Sequence, residues 1–148
     1  MRSERRPTPE PPRLLLIDDD EAVLRPVGSY LRKLGYEVET ARAREEGEGL
    51  LVRRRFDLVI LDLALTPSGR EGLEVLSSIR RARLRLPVVL MSGNVTSEVE
   101  DEARRLGAER VLTKPHPLVD LAHLVASILS REGRAASHGP KGDPNPAS

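Results

Sequence analysis

The sequence predicts an α/β fold: a doubly wound parallel sheet of five strands with helices on both faces. Three observations carry this. Short apolar or alternating runs recur along the chain, and stripes of helical period separate them. Three of the runs are continuously apolar, as strands buried on both faces are. The chain has 148 residues, enough for one core without disulfides, and it has no cysteine.

The first run, Leu14–Ile17, lies in LLLIDDDEAVL, and Leu24, Val27, Leu31 and Leu34 repeat at helical spacing after it. Asp20 reads as the N-cap of that helix. Pro26 lies early within it and deletes one backbone donor. The second run, Tyr36–Thr40, alternates apolar with polar and suits a sheet edge. Ala43–Arg55 is a weak helix, because Gly47 and Gly49 each cost ~1 kcal/mol there. The third run is Asp57–Leu61, followed by the stripe Leu73, Leu76 and Ile79. The fourth is Val88–Met91, followed by Val95, Val99, Ala103 and Leu106. The fifth is Arg110–Thr113, followed by Leu118, Leu121, Val125 and Ile128. With the second strand outermost, this pattern fits the flavodoxin-like order 2-1-3-4-5, with right-handed crossovers.

Residues 1–12 and 131–148 are rich in Pro, Gly and polar groups and read as disordered tails around a compact unit of residues 13–130. The absence of cysteine excludes thiolate catalysis and Cys-ligated zinc, and it suits a reducing cytoplasm. No apolar run approaches the roughly 18 residues of a membrane span. The N-terminus lacks the apolar core of a signal peptide. The net charge is +1 and aromatics are 2% of the chain, so neither a polyanion nor base stacking is indicated. Arg53–Arg55 and Arg80–Arg85 invite a nucleic-acid reading, but their places at helix ends, where the dipole favours cations, account for them.

In such sheets ligands bind beyond the carboxyl ends of the strands, where the strand order reverses. Strand 1 ends on Asp18, Asp19 and Asp20, strand 3 on Asp62, strand 4 on Ser92 and strand 5 on Lys114. Taken singly, each is an ordinary cap, turn or loop residue. Together they bring carboxylates, a hydroxyl and an ammonium to one edge. Clustered carboxylates must take up protons or bind a cation, and a hard divalent cation such as Mg²⁺ prefers oxygen ligands. A carboxylate can also act as a nucleophile and form an acyl phosphate, with Mg²⁺ and a lysine neutralising the transferring group.

The stretches LLLIDDDEAVL, FDLVILDLAL, EGLEVLSSIR, PVVLMSGN and GAERVLTKPHPL, in this order, resemble the response-regulator receiver domain of bacterial two-component signalling. The resemblance implies that Asp62 is the phosphoacceptor and that Asp18 and Asp19 bind Mg²⁺ with it, joined by the backbone carbonyl of Ala64. It implies that Ser92 is the switch hydroxyl, that Lys114 contacts the phosphoryl group, and that the Lys114–Pro115 bond is cis. The donor would be a sensor histidine kinase or a histidine phosphotransfer protein. As a stand-alone receiver the chain would signal through a downstream protein or pass the group on, with no direct contact to nucleic acid or membrane.

The chain departs from the family pattern in three ways. Val111 stands where an aromatic is usual, three residues before the lysine. The loop after Asp62, LALTPSGREG, is longer than the common pattern. His116 replaces an aromatic and takes a structural reading. Two other classes compete. A phosphatase of the haloacid-dehalogenase type needs a second Asp two residues after the nucleophile, and Ala64 fills that place. A non-phosphorylated interaction module would not need all of Asp18, Asp19, Asp62, Ser92 and Lys114.

Overall fold

The computed structural model describes residues 10–63, 70–82 and 85–131. In chain order the elements are β1 (Arg13–Ile17), α1 (Glu21–Lys33), β2 (Glu37–Ala41), α2 (Arg44–Arg53) and β3 (Leu58–Asp62). There follow α3 (Arg70–Ala82), β4 (Val88–Ser92), α4 (Ser97–Arg105), β5 (Arg110–Thr113) and α5 (Leu118–Arg131). The strands form one parallel sheet in the order β2-β1-β3-β4-β5. This is the order the apolar patterns predict.

Alternation along the central strands builds two cores. Leu14, Leu16, Leu58 and Ile60 face α1 and α5, where they meet Leu24, Leu31, Leu121 and Val125. Leu15, Ile17, Val59 and Leu61 face the other side, with Leu51, Leu76 and Ala103 from α2, α3 and α4. Every residue of β3 and β4 is buried, whereas the outer strands β2 and β5 keep exposed positions. No helix of the described residues is long and apolar enough to cross a membrane.

Local chemistry sets the helix boundaries. The Asp20 carboxylate accepts from Ala22 N at 2.9 Å, which caps α1. Helix α2 forms despite its two glycines. A Cβ on Gly47 would lie 2.6 Å from Cδ1 of Ile17, so the bare position lets α2 approach β1 closely. The stripe beginning at Val95 is corrected, because α4 starts only at Ser97. Thr96 is its cap and accepts from Val99 N at 3.2 Å, leaving Val95 outside.

The strands also run slightly further than the apolar runs imply. The ladder between β3 and β4 continues to Leu63 N, which donates to the Met91 carbonyl at 2.8 Å. Asp62 and Ser92 are therefore the last residues of their strands, held by sheet backbone. At the N-terminal end, Pro12 is buried and its carbonyl accepts from Glu37 N at 3.0 Å, so the ordered contacts begin one residue before Arg13. At the other end α5 extends to Arg131, which bonds Glu109 at 2.7 Å. Glu10 and Pro11 are exposed, and residues 1–9 and 132–148 lie outside the described residues.

Candidate functional site

The parallel strands deliver their carboxyl ends to one edge. Asp18 follows β1 directly, and its N–H donates to the Ala41 carbonyl at 3.0 Å, extending the pairing with β2. Its two oxygens are both engaged. Oδ1 accepts from Asp20 N at 2.9 Å, and Oδ2 accepts from Lys114 Nζ at 2.8 Å. Asp62 closes β3, and its Oδ1 lies 3.4 Å from the same Nζ. Asp18 and Asp62 are each only 5% exposed, while Asp19 is open to solvent.

One carboxylate oxygen from each of Asp18, Asp19 and Asp62 lies within 4.8 Å of the other two. An oxygen-only donor set of this kind, with one exposed member, fits a hard divalent cation that keeps part of its water. Lys114 supplies the positive charge inside this cluster. Burial acts to lower its pKa, but the hydrogen bond and charge of Asp18, and then the charge of Asp62, outweigh it and raise the pKa above the ordinary lysine value. The ammonium is thus held charged between two buried carboxylates.

Ser92 is buried at the end of β4. Its hydroxyl oxygen accepts from Asn94 N at 3.2 Å and so shapes the start of the connection to α4. Its carbonyl accepts from Lys114 N at 2.8 Å, which hangs the lysine backbone on the neighbouring strand. The Lys114–Pro115 bond is cis, as the resemblance implies. Ala64 lies outside the described residues, as do the first residues of the loop after Asp62. Val111 is partly buried against the core shared with α2, α3 and α4.

Two contributors escape sequence reasoning. Gly72, in the first turn of α3, sits so close to the chain after Asp62 that a Cβ there would come within 2.6 Å of Leu63 Cα and 2.7 Å of its carbonyl carbon. That contact seats α3 beside the end of β3. The second is an apolar floor beneath Asp18 and Asp62, made by Leu16, Leu24, Val27, Ile60 and Met91. It places apolar side chains on one side of the two carboxylates. Gly72 could have been suspected from a glycine near a helix start; the floor needs the fold.

The family model for the response regulator receiver domain matches residues 14–126. The chain belongs to that family. Among curated proteins the receiver is 32% identical over 126 residues to the transcriptional regulatory protein QseB of Escherichia coli O157:H7, covering 85% of this chain and 57% of that one. It is 33% identical over 128 residues to the cell cycle transcriptional regulator CtrA of Caulobacter vibrioides, covering 84% of this chain and 54% of CtrA. The receiver thus spans about half the length of these relatives. Among solved structures it resembles a CheY-like receiver domain protein from Methanospirillum hungatei JF-1. The TM-score is 0.79 at 28% identity, over 83% of this chain and 97% of that one. The non-phosphorylated HemR receiver domain from Leptospira biflexa gives a TM-score of 0.74 at 29% identity, over 80% and 94%.

Proposed function

We propose that this receiver accepts a phosphoryl group on Asp62 from a phosphohistidine, supplied by a sensor histidine kinase or a histidine phosphotransfer protein. The observation that carries the reading is the shared ammonium, with Lys114 Nζ 2.8 Å from Asp18 and 3.4 Å from Asp62. A carboxylate of Asp62 attacks phosphorus, the donor's N–P bond breaks, and an acyl phosphate forms. Lys114 balances the charge arriving beside Asp62. Asp18, Asp19 and Asp62, with the Ala64 carbonyl, would hold Mg²⁺, which supplies charge neutralisation and orientation of phosphoryl oxygens when bound. Ser92 would donate to a phosphoryl oxygen after leaving its turn with Asn94. The phosphorylated receiver then acts in the cytoplasm by binding a protein partner or by passing the group to another histidine, without itself contacting nucleic acid. Beyond this self-directed chemistry it has no enzymatic role.

Incubation with acetyl phosphate and Mg²⁺, read by intact mass, tests this. Wild type gains one phosphoryl group and Asp62→Asn gains none. Gain by the variant at the wild-type rate would overturn the assignment. Failure of wild type to gain would favour the non-phosphorylated interaction module.

A further inference from the structure

We propose that the lower end of the α2–α3 cleft is a docking surface for an acidic polypeptide segment carrying an apolar residue. Each helix runs back against its strand, so the C-terminal ends of α2 and α3 gather at the edge opposite Asp62. At their upper ends the two helices are bridged by Arg44 and Glu74 at 2.7 Å. From that bridge Arg44, Glu48 and Val52 follow one another at i, i+4 spacing along α2, turning outward to solvent at Val52, and Glu74, Ser77 and Arg81 descend α3. Below the bridge, Val52 and Arg81 stand exposed at the ends of the two helices, and Arg53 follows Val52 with its guanidinium folded back over Gly49.

Val52 is 83% exposed, more than any other large hydrophobic among the described residues. Arg55 and Arg85 lie in the connections that lead into the neighbouring strands β3 and β4, three residues before each begins and just before buried Phe56 and Leu86. Among the described residues, Arg53, Arg55, Arg81 and Arg85 are exposed and have no carboxylate partner. Arg81 has only the Ser77 hydroxyl, at 3.3 Å. Three carboxylates near this edge are engaged elsewhere. Glu39 pairs with Arg54 at 3.2 Å, Glu37 with Arg13 at 2.9 Å, and Asp57 accepts from Arg13 N at 2.8 Å.

The helix dipole accounts for part of this cation cluster but not for all of it. Its effect fades beyond the last turn, and Arg55 and Arg85 lie outside any helix. Four guanidiniums with no carboxylate partner among the described residues favour an external anion, and the planar fork suits carboxylate oxygens. The exposed Val52 decides the class. An apolar spot rimmed by arginines matches the apolar centre and polar rim of a protein interface. A phosphodiester backbone has no use for Val52, and no aromatic is exposed here for bases to stack on. The chain's own ends match poorly, since residues 1–10 carry Glu4 and Glu10 against Arg2, Arg5 and Arg6, and residues 132–148 carry Glu132 and Asp143 against Arg134 and Lys141. The surface is independent of Asp62, so it can be engaged while a phosphodonor occupies the opposite edge.

The probe is a short synthetic peptide of glutamates interrupted by leucines, titrated into the full chain at low salt and followed by amide chemical shifts. Shifts should centre on the ends of α2 and α3 and diminish as salt rises. R53A/R81A should weaken binding about tenfold, from two exposed ion pairs at up to ~0.7 kcal/mol each. V52S should weaken the leucine-containing peptide about threefold and leave an all-glutamate peptide unaffected. Asp62→Asn should bind like wild type, which separates this proposal from the phosphorylation reading. No saturable shift, or shifts centred elsewhere, would overturn it. So would tighter binding at these residues by a random duplex DNA or by vesicles of anionic lipid.

Discussion

Lys114 and Asp18 are 96 residues apart in sequence and 2.8 Å apart in space. The ion pair ties the end of β5 to the end of β1 across the mouth of the acidic site. Both side chains are largely shielded, at 20% and 8% exposed, and Asp62 shares the same ammonium. Lys114→Gln keeps a donor for Asp18 but removes the charge. Breaking a fully buried pair costs about 3–5 kcal/mol, and partial exposure reduces that here to about 2 kcal/mol. The pKa of Lys114 is raised, with burial opposing and Asp18 then Asp62 prevailing. Its contribution is therefore complete below the ordinary lysine value and is lost only as pH rises through the higher folded value. Urea unfolding at about pH 7 and about pH 9 should give the same gap between wild type and variant. A gap that closes by the higher pH would mean the lysine is not held charged.

Magnesium should stabilise the folded receiver through Asp18, Asp19 and Asp62, whose oxygens lie within 4.8 Å of one another. A ligand that binds only the native state adds RT ln(1 + [L]/Kd), or ~2.7 kcal/mol at a hundredfold excess. The melting temperature of wild type should rise with added Mg²⁺. Asp18→Ala with Asp19→Ala should abolish that rise, and an undiminished rise would locate the cation elsewhere.

Tyr36 is buried, and its hydroxyl has no hydrogen-bond partner among the described residues. Burial pushes its pKa up to about 12. For a group with a raised folded pKa, stability is full below the unfolded value of 10.0 and falls as pH rises toward the folded one. Wild type should therefore lose stability between about pH 10 and about pH 12 in excess of Tyr36→Phe. At neutral pH that variant should be neutral or about 1 kcal/mol more stable, since an unpaired buried hydroxyl costs free energy. A clear loss of stability in the phenylalanine variant at neutral pH would reveal a hydrogen bond to a buried water.

The elements of the candidate site were legible because each candidate residue sits at the end of a strand-like run. Leu14–Ile17 before three aspartates, and Leu58–Leu61 before Asp62, announce strands whose carboxyl ends carry charge. Pattern also separates the buried β3 from the half-exposed β2. Contacts between distant backbones are not legible in this way. Gly72 reads as one more glycine until Leu63 is seen against it, and Gly47 reads as a helix weakness until Ile17 fills the space beside it. Val95 continues an apolar stripe on paper, yet Thr96 wins the helix start because its hydroxyl bonds Val99 N. Local hydrogen bonding overrides periodicity there.

The last prediction concerns how phosphorylation is read out. The receiver resemblance implies a switch in which a hydroxyl moves toward the phosphoryl group and a ring on the fifth strand follows. Ser92 can make the first move. Among the described residues its hydroxyl bonds only the Asn94 backbone, in a turn of long contacts at 3.2 and 3.4 Å, so little is lost in releasing it. Val111 cannot make the second. Its side chain is short, β-branched and stiff at χ1, and it already packs against the core beneath α4. A modification shifts an equilibrium only by its differential interaction with the two states, so losing the ring removes one such difference. The change should therefore be confined to the loops after β3 and β4. Amide exchange with and without beryllofluoride, a stable mimic of the bound phosphoryl group, checks this. Protection should rise in the segment following Leu63 and in Gly93–Thr96, with little change across Arg110–Thr113. A response centred on β5 and the start of α5 would show that signal still passes through strand 5, by a route that needs no ring.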